Sequence, residues 1–329
     1  MRVLITGGNG FVGRHLAKHL IQNGDDVAVS YLRSAVEASR NDPLTQKIDA
    51  KIPVPHTAQN MALDITDRAQ VLQFVSLLKP DVIYHLAAIS SVPQAEEDLT
   101  EVVRVNTQGT LNLLDAVREH SKDTRFIFVS SAEVYGIPRP GSLPLTESAE
   151  LRPISGYGVS KSWADLATSY YARRHGLHVM CMRSFPHVGP GQSDIFAVSS
   201  FAKQIATIKL GKAEPVVKVG NLEVKRDYSD VSDIVRGYRE AVFNGKDGET
   251  YNLCSGSSVG IGEILQSLIT MAEVNVEIVE DPARVRPVDI PDIYGSYQKA
   301  NKDFGWKPRV EKEAMLDSLL SFWLDVLSG

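Results

Sequence analysis

Tyr157-Gly158-Val159-Ser160-Lys161 places a phenol and an ammonium four residues apart. On a helix, side chains at that spacing share one face, about one turn apart. A phenol has a reference pKa of about 10, and a cation within reach lowers it toward neutrality. Lys161 is therefore expected to draw Tyr157 down and to hold a cofactor ribose beside it. Taken alone, Tyr-x-x-x-Lys is common by chance on helices and reads better as a plain surface pair, so the surrounding sequence has to decide. Upstream, Phe128-Val129-Ser130-Ser131-Ala132-Glu133-Val134-Tyr135-Gly136 reads as a buried strand ending in polar groups. Ligands bind beyond the carboxyl ends of strands in open parallel sheets. Ser131 suits a hydrogen bond to a substrate oxygen shared with Tyr157. Glu133 suits a base or a hydroxyl ligand. Out of context the two would be a strand-end cap and a solvated turn residue.

A third group of residues supplies the context. Thr6-Gly7-Gly8-Asn9-Gly10-Phe11-Val12-Gly13 lies between an apolar run, Val3-Leu4-Ile5, and a helix-spaced run, Val12, Leu16 and Leu20. Gly7, Gly10 and Gly13 fit G-x-x-G-x-x-G, while Gly8, Gly10 and Gly13 fit G-x-G-x-x-G. Either spacing lets the backbone approach a pyrophosphate at a helix N-terminus. An NAD site usually carries an acid after the second strand. Here the stretch is Ser30-Tyr31-Leu32-Arg33-Ser34, with no acid. Arg33 offers a partner for a 2′-phosphate, which favours NADP(H) over NAD(H), or it stands as a solvated surface residue.

The elements that must position these groups alternate strand and helix. Strands are expected at Val3–Thr6, Val27–Val29, Met61–Leu63, Val82–Tyr84, Phe126–Val129 and 178–183. Helices are expected after the glycines, over 67–78, near 98–121 with a stripe of Leu111, Leu114 and Val117, and around Lys161. Residues 34–58 lack periodicity and contain three prolines, so they read as a surface excursion. The alternation implies an α/β, Rossmann-like, doubly wound parallel sheet. Beyond residue 190 shorter elements are expected, with helices near 194–209, 230–243, 260–271 and 311–327. The organisation expected is a cofactor-binding domain over 1–185 and a smaller C-terminal α/β substrate region over 186–329, interleaved with the last strands.

Bulk properties narrow the function classes. The chain has 329 residues, 43% of them hydrophobic, which is ample for a large core. A net charge of -5 argues against a nucleic-acid partner. The N-terminus lacks a signal-peptide layout and no apolar run reaches membrane-spanning length, so no membrane partner is expected. Cys181 and Cys254 stand in no metal or redox spacing, which fits a cytoplasmic setting and a site without metal. His15 and His19, at i and i+4, read as a solvent-facing pair, and His85 as a structural strand-end residue.

TGGNGFVG, SSAEVYG and YGVSK in this order resemble the extended short-chain dehydrogenase/reductases that modify nucleotide sugars. The resemblance continues through LDITD at 63–67, HLAAISSV at 85–92, RSFPHVGPGQSDIFAVSSFAKQIA at 183–206, VGNLEVKRDYSDVSDIV at 219–235, RVRPVDIP at 284–291 and GWKP at 305–308. Together these are most similar to the GDP-4-dehydro-6-deoxy-D-mannose reductases, with the GDP-mannose 4,6-dehydratases as mechanistic relatives. The resemblance implies hydride transfer to C4 of a GDP-linked keto sugar, with Ser131, Tyr157 and Lys161 as the catalytic set. It implies that Asp64 and Ile65 contact adenine, that Ala87 and Ala88 line the cofactor and that His187 lies near the nicotinamide. Ser90 would touch the sugar, and Lys203, Arg226 and Arg286 the diphosphate region. A helix-mediated homodimer is implied as well. The alternatives are a 4,6-dehydratase or epimerase with retained cofactor, for which Glu133 would serve as base, and an NADP-binding regulator. Two departures stand out. The family usually has Asn where this chain has Pro186, and residues 40–60 are longer than usual.

Overall fold

A computed structural model describes residues 1–39, 42–285 and 288–328 of the chain. The chain opens on β1 (Arg2–Thr6), whose Val3, Leu4 and Ile5 are wholly buried, as befits a parallel strand covered on both faces. It turns at the glycines into α1 (Phe11–Gln22) and continues through β2 (Asp26–Tyr31), α2 (Arg33–Ser39), α3 (Pro43–Lys51) and β3 (Gln59–Ala62). Next come α4 (Arg68–Leu78), β4 (Val82–His85), α5 (Val92–Glu97) and α6 (Leu99–Val103). A π-helical turn at Arg104–Gln108 leads into α7 (Gly109–His120) and β5 (Arg125–Ser131). α8 (Gly156–His175) then precedes β6 (Val179–Ser184).

Beyond β6 the strands shorten. β7 (His187–Val188), α9 (Ala197–Lys209), β8 (Val216–Val219), β9 (Lys225–Arg226), β10 (Ser229–Asp230) and α10 (Val231–Asn244) lead to β11 (Thr250–Leu253). β12 (Val259–Gly260), α11 (Ile261–Ala272), β13 (Glu277–Glu280), β14 (Asp292–Ile293), α12 (Gln298–Phe304) and α13 (Lys312–Ser328) complete the chain.

Seven strands form one parallel sheet in the order β3-β2-β1-β4-β5-β6-β11. The order reverses between β1 and β4, the switch point beyond which open α/β sheets bind ligands. Apolar faces of α1 and α10 cover one side of the sheet, and those of α4, α7 and α8 cover the other. The doubly wound α/β architecture expected from the strand–helix alternation is the one the chain adopts. α9, α11 and α13 pack with β8 around a separate apolar cluster that includes Phe201, Leu268 and Trp323.

One expectation is corrected here. Residues 34–58 do not form a bare surface excursion, because they carry α2 and α3. Asp42 caps α3 by accepting the N–H groups of Leu44 and Thr45 at 3.2 and 3.0 Å, and Pro43 takes the first turn, where its missing N–H costs nothing. Leu44, Ile48 and Ile52 then repeat every four residues and pack against the α9–α11–α13 cluster. That contact is tertiary, so a short polar helix gives little sign of it in sequence. The helix expected over 98–121 is present from Leu99 to His120, with the π turn inside it. Asp98 accepts the N–H of Glu101 at 3.0 Å and starts α6 afresh, and the π turn follows.

Candidate active site

α8 and β5 place the proton-handling groups. Ser155, in extended conformation, caps α8 by accepting the Gly158 N–H at 3.1 Å. The cap fixes where the helix starts and so where Tyr157 and Lys161 project. The same hydroxyl donates to Glu133 Oε2 at 3.4 Å. The Tyr157 phenol lies close enough to the Ser131 hydroxyl to interact with it. Burial pushes the phenol well above its ordinary value, the Ser131 hydroxyl draws it partly back, and the Glu133 charge adds to the rise. Lys161 does not lower it as the spacing suggested. Its ammonium donates instead to the Val129 carbonyl at 2.7 Å and stands 4.9 Å from the centre of the Phe128 ring. Tyr157 therefore holds its proton at neutral pH, the form a proton donor needs. Burial pulls Lys161 down to about 8, against the opposing charge of Asp165.

A buried ion pair underlies this face. Asp165, one turn beyond Lys161, accepts two bonds from Arg183 at 2.8 and 3.1 Å and the Ser130 hydroxyl at 3.0 Å. Arg183 also donates to the Tyr135 hydroxyl at 3.1 Å and to the Glu147 carbonyl at 3.0 Å, and Tyr135 donates to Asn252 Oδ1 at 2.7 Å. Two consecutive residues of β5 are thus held by α8, Val129 by Lys161 and Ser130 by Asp165, next to the Ser131 that faces Tyr157. Asn106 holds the other side. Lying in the π turn, it exchanges two bonds with the backbone of Ile89 at 2.8 and 3.0 Å and donates to Ser160 Oγ at 2.9 Å. Single-turn π bulges recur at functional sites. Sequence reading missed Asp165, Arg183 and Asn106. The repeat of polar residues at 157, 161 and 165 was the one available signal.

The glycine loop lies against the loop that follows β4. Gly7 has φ +70° and lies so close to the loop after β4 that an added Cβ would stand 2.9 Å from the Ala87 backbone. At Gly13 a Cβ would stand 2.5 Å from the Gly7 carbonyl oxygen. Gly10 is the N-cap of α1 and offers no side chain, so the first N–H groups of that helix are not capped from within. Asn9 Oδ1 is buried without a hydrogen-bond partner. A close backbone approach, uncapped amides and an orphaned polar atom together fit the pyrophosphate of a dinucleotide. Thr6 Oγ1 bonds His85 Nδ1 at 2.7 Å and accepts the Ala87 N–H at 3.2 Å, with Ala88 next along the loop. His85 is buried and held near 3 chiefly by desolvation, which fits its structural reading. Phe11 stacks on His187, their centroids 6.1 Å apart, while Val12 packs toward the sheet. His187 Nδ1 donates to the Phe185 carbonyl at 2.9 Å, and burial lowers the ring's pKa, so it is neutral with Nε2 as an acceptor. Arg33 is exposed at the start of α2 and makes no ion pair among the described residues. Asp64 accepts the Thr66 N–H at 2.9 Å and the Thr66 hydroxyl at 2.7 Å, and Ile65 is buried beneath Gly109.

Other expected site residues have partners of their own. Ser90 is exposed beside the Asn106-held loop. Lys203 on α9 pairs with Asp194 at 2.6 Å. Arg226 on β9 pairs with Asp289 at 2.6 Å and donates to the Ile290 carbonyl. Arg286 lies outside the described residues. Pro186 accepts the Ser229 N–H at 3.0 Å, and the Ser229 hydroxyl is buried without a partner. His15 is not solvent-facing. It packs edge-on to Phe11 and donates through Nε2 to the Pro190 carbonyl at 2.7 Å, because the 189–191 loop folds back over α1.

The family described as GDP-mannose 4,6 dehydratase matches residues 4–319. A GDP-6-deoxy-D-mannose reductase of Pseudomonas aeruginosa is 34% identical over 98% of this chain and 97% of its own length. A GDP-mannose 4,6-dehydratase of Yersinia enterocolitica is 27% identical over 97% of this chain and 93% of its own. Among solved structures, RMD from Pseudomonas aeruginosa complexed with NADPH superposes with a TM-score of 0.81 at 29% identity, over 98% of this chain and 99% of that one. A UDP-glucose 4-epimerase of Thermotoga maritima superposes with a TM-score of 0.86 at 27% identity, over 99% of this chain and 100% of that one. With its glycine loop at the switch point and its serine, tyrosine and lysine gathered on β5 and α8, the chain belongs to the GDP-mannose 4,6-dehydratase family of extended short-chain dehydrogenase/reductases.

Proposed function

We propose that this nucleotide-sugar oxidoreductase reduces the C4 keto group of a GDP-linked 4-keto-6-deoxy hexose, giving a GDP-rhamnose-type product, with NADPH as its reductant. The observation that carries the reading is the protonated Tyr157 phenol beside Ser131, with Lys161 anchored behind it. When bound, the reduced nicotinamide supplies the hydride that reaches C4. Tyr157 gives its proton to O4 as that oxygen gains charge, and Ser131 donates a hydrogen bond to the same oxygen. Lys161 stays near the ribose hydroxyls and orients them. Gly7, Gly10, Phe11, Val12 and Gly13 hold the pyrophosphate, Asp64 and Ile65 the adenine, and Ala87, Ala88 and His187 the nicotinamide end. Arg33 meets the 2′-phosphate, which sets the preference for NADP(H) over NAD(H). Ser90 and Glu133 hold sugar hydroxyls, and Lys203, Arg226 and Arg286 meet the diphosphate, for which arginine forks are well shaped. Residues 1–185 carry the cofactor and 186–329 the sugar nucleotide.

Trp163, Leu166 and Tyr170 form an exposed apolar face on α8, each about half exposed or more. A helix-paired homodimer would cover it. Among the described residues no helix is long and apolar enough to cross a membrane, and both cysteines are free and buried, as a cytoplasmic setting allows.

A second reading is a 4,6-dehydratase with retained cofactor, favoured by the Glu133 carboxylate beside Tyr157. Purified protein offered GDP-4-keto-6-deoxymannose with NADPH should consume NADPH. Conversion of GDP-mannose with NADP and no net cofactor use would replace the reductase with the dehydratase.

A further inference from the structure

Arg14 sits on α1 one residue past the glycine loop, is 12% exposed, and spends its guanidinium on three partners. Nε donates to the Asn9 carbonyl at 2.7 Å, within the glycine loop. Nη1 donates to the Ile52 carbonyl at 3.0 Å, and Nη2 pairs with Asp49 at 2.5 Å. Both of these partners belong to α3 or its end. α3 is anchored in turn: Leu44, Ile48 and Ile52 pack on the cluster containing α13, and Lys51 pairs with Asp325 of α13 at 2.6 Å. Ile52 also packs against Gly191, in the loop that His15 holds through Pro190. The segment therefore touches the glycine loop, the 189–191 loop and the C-terminal helix at once. Asn9, whose carbonyl Arg14 holds, is also the residue whose buried side-chain oxygen lacks a partner.

We propose that Arg14 and α3 form a bracket that holds the glycine loop in its pyrophosphate-accepting shape, so that this segment sets how tightly the dinucleotide is retained. Resting on the reading of the glycine loop as a dinucleotide site, the proposal makes Arg14 a positioning residue. A loop held from behind presents its amides without reorganising, and preorganisation of this kind strengthens binding mainly by slowing release.

The test is direct binding of NADPH to the full chain, by its fluorescence and by calorimetry, without any sugar. Wild type should bind one NADPH per chain. Asp49→Asn and Ile48→Ser should each raise the Kd about five- to tenfold, chiefly through faster release and at unchanged stoichiometry. Arg14→Gln combined with Asp49→Asn should bind no more weakly than Arg14→Gln alone, because both break one connection. A merely structural role would lower the melting temperature and the bound fraction while leaving the Kd of the folded fraction untouched, and that outcome overturns the bracket. Additive losses in the double variant overturn it as well. If wild type binds NADPH and the variants bind equally tightly, the bracket fails while the oxidoreductase reading stands. If wild type binds neither NADPH nor NADH, that reading falls and the bracket falls with it.

Discussion

The ammonium of Lys161 donates to the carbonyl of Val129 at 2.7 Å, tying the helix that carries Tyr157 to the strand that carries Ser131. This bond gives Lys161 a positional task in the protein itself. It also leaves the Tyr157 phenol high, because burial outweighs any help from the cation.

Tyr157→Phe should lower kcat by about 10²–10⁴-fold, the usual worth of one positioned proton donor. NADPH affinity, read by fluorescence titration, should change little. Near-normal turnover in this variant would remove Tyr157 from the proposed mechanism.

Turnover should fall as pH rises through about 8, where Lys161 loses its proton. The stability effect runs the opposite way. The folded value lies below the ordinary 10.5, so between about 8 and 10.5 the unfolded chain binds a proton that the folded chain does not. Unfolding free energy contributed by this group should therefore rise with pH across that window. Lys161→Arg should move the alkaline limb of the kcat/KM profile upward, and a limb that stays near 8 would assign it to another group.

Asp165→Ala should destabilise the fold by about 3–5 kcal/mol, because it strands the buried Arg183 charge. Urea denaturation would measure this. Asp165→Asn, which keeps the shape, should also lower the alkaline limb, since the charge favouring the Lys161 ammonium is gone. An unmoved limb would confine Asp165 to packing.

Gly13→Ala should weaken NADPH by at least about tenfold, or roughly 1.4 kcal/mol, because its Cβ would meet the Gly7 carbonyl at 2.5 Å and displace the loop. Circular dichroism should stay unchanged. Tight binding by this variant would contradict the tight-turn account of the loop.

Leu166→Glu together with Trp163→Ser should shift the protein toward monomers in sedimentation equilibrium, since both lie on the exposed apolar face of α8. A mass unchanged from wild type would move the self-association surface elsewhere.

Local sequence was enough for everything that a strand–turn–helix carries within itself. The apolar runs and the periodicity of helices such as α1 and α7 gave the parallel sheet, because a strand buried on both faces and a helix with one apolar stripe are written in consecutive residues. The glycine loop, Ser131, Tyr157 and Lys161 were legible for the same reason: each sits at a fixed place in such a unit. What depends on residues far apart was not legible. Asp165 meets Arg183 across 18 residues, Asn106 meets Ser160 across 54, and Arg14 meets Ile52 across 38. The tertiary structure alone decided that Lys161 faces Val129, that α3 braces the glycine loop, and that burial rather than a neighbouring cation sets the proton on Tyr157. Desolvation is a property of everything packed around a group, and no spacing along the chain encodes it.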